Sequence, residues 1–175
     1  MNKLTSRTLL ICIILTTMFS CAQDGYEGMM PDVDTEVLKD SVRWYRDEGK
    51  NLRNSAKYQD AIAVHTRGLE LAKEICDTLE VIQALNNICT VYRRMGLLDD
   101  AASWHYMALT WCEEWSDKTS DTALKNRVVS LNGIGNVHLS MGNSEIAMQA
   151  FREALKGETR LGSATGMAIK KPRSR

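Results

Sequence analysis

One pattern of small and large residues occurs three times along the chain with the same internal spacing. It runs Tyr45, Gly49, Leu52, Ala56, Tyr58, Ala61, His65, Gly68, Leu69; then Leu85, Cys89, Tyr92, Gly96, Leu98, Ala101, His105, Ala108, Leu109; then Leu131, Gly135, His138, Gly142, Ser144, Ala147, Phe151, Ala154, Leu155. In the second half of each unit, offsets of 0, 4, 7 and 8 put Ala61, His65, Gly68 and Leu69, and their equivalents, on one face of a helix. The first half behaves likewise over Tyr45, Gly49 and Leu52, with Glu48 the polar exception. Neither face can stay in water, so each unit is a helix pair and the pairs must stack. Ala56, Gly96 and Gly142 fall where the chain turns, at the helix end that often takes a left-handed residue. Gly49, Cys89 and Gly135 allow close approach of the first helix, and Ala61, Ala101 and Ala147 are expected to answer on the second.

These residues carry a resemblance to the tetratricopeptide repeat family over about residues 42–157. The resemblance implies an all-α, right-handed solenoid of about three antiparallel helix pairs, set at residues 34–161, that binds partners and does not catalyse. The units are spaced by 40 and 46 residues, against about 34 in the commonest form. Ala84-Leu85-Asn86-Asn87-Ile88 and Ser130-Leu131-Asn132-Gly133-Ile134 resemble the longer-repeat branch of the family, where first-helix asparagines hold the backbone of an extended peptide.

First helices line the concave side of such a stack. The ligand groove is therefore expected at Arg46, Lys50, Arg53, Asn86, Asn87, Thr90, Arg93, Asn132 and Asn136. Asparagine both donates and accepts, so a row of them mimics a strand edge, and the basic end favours a carboxylate or an acidic side chain. His65 and His105 share the repeat position of Phe151 and read as packing residues, and no metal spacing links them to His138. Trp104, Trp111 and Trp115 are expected to fill the contact with the third unit. No phosphate loop, GxSxG elbow or HExxH is present, which sets aside an enzyme reading and calls for no cofactor or metal.

The start of the chain departs from this composition. Lys3 and Arg7, an apolar run over residues 8–19 and Ser20-Cys21-Ala22 form the order of a secretory leader, too short for a membrane span of about 20 residues. Residues 1–20 read as a signal peptide and 21–33 as a flexible tether. Cys21 after a small residue resembles the lipobox of bacterial lipoproteins, which implies a lipid on Cys21 and a periplasmic or outer-membrane location; release as a soluble secreted chain is the alternative. Losing Lys3 and Arg7 takes the 22 basic residues to 20 against 22 acidic ones, a net −2 that does not suit nucleic acid. Cys76, Cys89 and Cys112 are an odd set without CxxC, which argues against a disulfide framework or zinc site, although an oxidising compartment permits one pair.

Residues 162–175 read as the incomplete start of a further repeat and a basic tail, because Lys170-Lys171-Pro172 stands where the other units carry asparagines. The last pair then has no polar cap. Either the chain is part of a longer signalling protein whose sensor portion it forms, or the open end docks a partner or a second copy. An envelope-assembly scaffold lipoprotein is the alternative to a peptide-binding module.

Overall fold

A computed structural model describes residues 35–117 and 119–169, with side chains to residue 162. The leader, Cys21, the tether over 21–33 and the tail from Lys170 lie outside the described residues. Among the described residues there are six helices and no strand: α1 Thr35–Asn54, α2 Tyr58–Glu74, α3 Thr78–Arg94, α4 Leu98–Glu114, α5 Asp121–Ser140 and α6 Ser144–Ile169. Each helix packs on the next, and the first helices α1, α3 and α5 also touch in succession. The result is the all-α solenoid of three helix pairs that the repeat requires.

Local chemistry explains where the helices stop. Ala56, Gly96 and Gly142 have φ of 59°, 78° and 83°. At each, the amide of the following residue reaches back to a carbonyl five residues earlier: Lys57 to Leu52 at 2.9 Å, Leu97 to Tyr92 at 3.0 Å, Asn143 to His138 at 2.8 Å. This left-handed closure satisfies carbonyls the helix end would otherwise leave open. The turn between the first and second pairs uses the same device at Cys76, φ 53°, with Asp77 N–H to Ala72 O at 2.9 Å. The sequence pattern did not reveal this turn, since a cysteine gives no turn signal. Asp77 then caps α3 by accepting from Glu80 N–H at 3.0 Å, and Ser120 caps α5 by accepting from Ala123 N–H at 3.2 Å.

The unequal repeat intervals have a simple origin. Residues 75–77 join the first two pairs and residues 115–120 join the next two, while α5 has 20 residues to the 17 of α3. Loop and helix thus share the extra six residues about equally. The last helix shows a further difference: α6 has 26 residues and runs without a turn through position 162.

Packing within the first and third pairs depends on a ring laid over a missing side chain, and in the second pair the equivalent ring, His105, lies over Gly133 of α5. Cβ atoms built at Gly49 and Gly135 would fall within the van der Waals envelopes of the His65 and Phe151 rings, at 2.5 Å from Phe151 Cε1 in the second case. Ala61, Ala101 and Ala147 are buried too, at 0%, 0% and 2% exposure, but the atoms meeting these glycines belong to the rings. Between pairs, the main cluster joins Val42 of α1, Leu69 and Ala72 of α2, Leu85 and Ile88 of α3, and Ala108 of α4. Trp104 and Trp111 pack against this cluster, with Trp104 stacked on Tyr92 at 6.4 Å. The expectation that they fill the contact with the third unit is corrected. Positions 104, 108 and 111 of α4 share one face, turned toward the first two pairs, whereas Ala102 and Leu109 pack on α5.

Candidate functional site

The expected groove residues lie on α1, α3 and α5, which form a continuous row, and several of them bond across it. Arg46 Nη1 donates to Glu80 Oε1 and, at 3.2 Å, to Gln83 Oε1. Two turns farther along α1, Arg53 Nη1 donates to Asn87 Oδ1 at 3.4 Å. From α3 to α5, Asn86 Nδ2 donates to Ser130 Oγ at 3.1 Å. First helices are therefore stitched to one another by polar pairs beside the apolar cluster of Val42, Leu85 and Ile88.

This stitching changes the account of two expected residues. Asn86 is only 8% exposed; its amide is held by Ser130, and its Oδ1 lies 3.2 Å from His105 Nδ1. It is an internal bridge and is corrected from groove ligand to structural residue: α3 turns one of its two adjacent asparagines inward and the other outward. Arg46 is committed to Glu80, so its charge does not stand open toward a ligand. Glu80 and Ser130, the partners, were not singled out from the sequence; a polar residue at a repeat position otherwise filled by Ala84 was the available signal for Ser130.

The remaining residues make a more open surface. Asn87 and Asn132 are half-buried, while Arg93 and Asn136 are exposed. Lys50 is half-buried and pairs with Asp47 at 3.2 Å, which holds that carboxyl below its ordinary range. The Thr90 hydroxyl donates to Asn86 O at 2.9 Å, leaving oxygen lone pairs to accept. Arg53 is in the last turn of α1, where burial and then the neighbouring Arg94 and Arg93 lower its pKa. Its Nε is buried without a hydrogen-bond partner. The result is a local excess of positive charge at the α1 and α3 C-termini beside an amide row.

The histidines belong to the packing. His65 is 1% exposed and its Nε2 has no partner; burial, then Arg53 and Lys50, lower its pKa to about 4. His105 packs against Gly133, and burial followed by Arg93 likewise brings it to about 4. His138 Nε2 lies 3.0 Å from the Tyr106 hydroxyl. Among the described residues no group of three His, Cys, Asp or Glu side chains is arranged to hold a metal ion. Burial raises the Cys89 thiol above its ordinary range and Cys112 to about 11, so both stay protonated as apolar packing groups.

Residues 80–157 match the family model described as tetratricopeptide repeat. The fold is similar to the crystal structure of the TPR domain of Arabidopsis FLU, with a TM-score of 0.60 and 19% identity over 72% of this chain and 98% of that one. No curated protein matches the chain. Residues 80–157 thus match the tetratricopeptide repeat, and the described residues share the fold of a tetratricopeptide repeat domain; stacks of this kind serve in general as scaffolds for protein partners.

The buried rings give a pH signature. Both histidines titrate near 4 when folded and near 6.5 when unfolded. Their neutral burial therefore stabilises the fold fully above about pH 6.5 and progressively less toward pH 4, as the unfolded chain takes up protons first. The melting temperature is expected to fall between pH 7 and 4.5, and to fall less in His65→Phe, which places the third unit's ring in the first. An equal fall in both proteins contradicts the assignment.

Proposed function

We propose that the chain is an extracytoplasmic, non-catalytic module that holds an extended, acidic protein segment along α1, α3 and α5. The observation that carries this reading is the outward-facing set Lys50, Asn87, Thr90, Arg93, Asn132 and Asn136 beside Arg53. Asn132 supplies donors and an acceptor to a peptide backbone, and Asn87, whose Oδ1 accepts from Arg53, supplies its Nδ2 donor. The arginines supply charge-assisted donors to Asp or Glu side chains. Arg46 and Asn86 support the row from within and do not touch the ligand.

The binding test is fluorescence anisotropy with labelled ten-residue peptides of matched sequence, one set rich in Asp and Glu and one rich in Lys. Acidic peptides are expected to bind near micromolar, about −8 kcal/mol. Binding should weaken as salt rises and at least tenfold in the triple variant Lys50→Ala, Arg93→Ala, Asn132→Ala. Equal affinity for both peptide sets, or an unaffected triple variant, sinks the groove.

The resemblance of residues 8–22 to a lipoprotein leader supports a tether at Cys21, worth about 0.8 kcal/mol per buried methylene of its acyl chains. Such a tether suits either the sensor portion of a longer signalling protein or an envelope-assembly scaffold. Mass spectrometry of the mature N-terminus is expected to show a lipid-modified Cys21; an unmodified N-terminus beyond Ala22 supports secretion instead.

A further inference from the structure

The two ends of the stack are chemically different. First helices turn one row of residues toward the preceding pair, and in α3 that row is Val81, Ala84, Ile88 and Val91, between 0% and 7% exposed. The repeat period carries it to Ser41, Trp44, Glu48 and Asn51 in α1. Three of these four are polar, which suits a face that meets water and ends a stack. Trp44 is the exception, 59% exposed and edge-on to Tyr45 at 5.1 Å.

The other end is apolar. Second helices turn a row toward the following pair, and in α4 it is Ala102, Tyr106 and Leu109, met by Val137, His138 and Leu131 of α5. In α6 the same positions are Met148, Arg152 and Leu155, with Met148 48% and Leu155 63% exposed. The apolar surface also extends beyond the repeat template: Leu139 and Ile146, 56% and 42% exposed, stand where the second unit has Arg93 and Asp100. The Arg152–Leu155 ridge is flanked by two recesses. One of about 300 Å³ is lined by Leu139, Met148 and Phe151, and one of about 530 Å³ by Gln149, Lys156 and Thr159.

We propose that this end is a dimerisation face, occupied by α6 of a second copy lying antiparallel across a two-fold axis. A ridge with a groove on each side is self-complementary, so the ridge of one copy seats in the groove of the other. Lys156 is bridged to Glu153 of its own helix and Arg152 belongs to the ridge, so the antiparallel pairing is carried by the apolar side chains and not by charge. A two-fold contact uses the same face on both copies, so it closes as a dimer. The four exposed apolar side chains offer on the order of 400 Å² per copy, about 800 Å² in all and below the usual size of stable interfaces, so association should be weak. This face is distinct from the groove on α1, α3 and α5, and neither proposal depends on the other.

Sedimentation of the full chain tests it. The weight-average mass is expected to rise from that of the monomer toward twice that value between about 1 and 200 μM, the range for a weak pair. Leu155→Glu and Met148→Glu, both at exposed positions, should raise the dissociation constant at least tenfold with helical circular dichroism unchanged, while Trp44→Glu should leave it unchanged. A monomer at the highest concentration, a dimer insensitive to both α6 variants, or open-ended oligomers abolished by Trp44→Glu would each overturn the proposal.

Discussion

In the first and third pairs two helices lie close because one of them lacks a side chain where the other places a ring; in the second pair Cys89 holds that position and the His105 ring lies over Gly133 of the next helix. His65 over Gly49 and Phe151 over Gly135 are the same contact in the first and third units, made by an imidazole in one and a phenyl in the other. Shape sets this contact, since a ring that hydrogen-bonds and one that cannot are both accepted. Once the pair is fixed, the left-handed turns at Ala56, Gly96 and Gly142 close it, and the next pair stacks on the face that remains.

A second consequence concerns polarity. Where α1, α3 and α5 approach one another, the contacts include Arg46 with Glu80, Arg53 with Asn87, and Asn86 with Ser130. Polar groups left half-buried must find partners, and here the neighbouring first helix supplies them. Each bond made inside the row removes one group from the surface a ligand could use. The binding surface is consequently narrower and more basic than an amide ladder, and it centres on residues that project beyond this stitching.

The fold was largely legible in the sequence because it is built on period. Offsets of 4, 7 and 8 named the buried faces except at Leu155, which is 63% exposed, and the turn positions 56, 96 and 142 all proved to have positive φ. The site was less legible for the same reason. Asn86 and Asn87 are adjacent and alike, and periodicity places both on the exposed side of α3, yet a rotation of about 100° between neighbours sends one into the stack and one out of it. Trp104 and Trp111 show the same limit: their spacing named a shared face but not which neighbour that face meets. The Cys76 turn carried no local sign at all, because cysteine is not a residue that favours positive φ.

The account rests on the ring-over-glycine contact, and a double-mutant cycle between positions 49 and 65 measures it most directly. Gly49→Ala alone should destabilise the chain by about 1–3 kcal/mol through overpacking. Combined with His65→Ala, which removes the ring, the added methyl should cost almost nothing, giving a coupling of at least about 1 kcal/mol by urea unfolding. Additive losses in the double variant would show that Gly49 and His65 do not meet, and would contradict the packing from which the rest is argued.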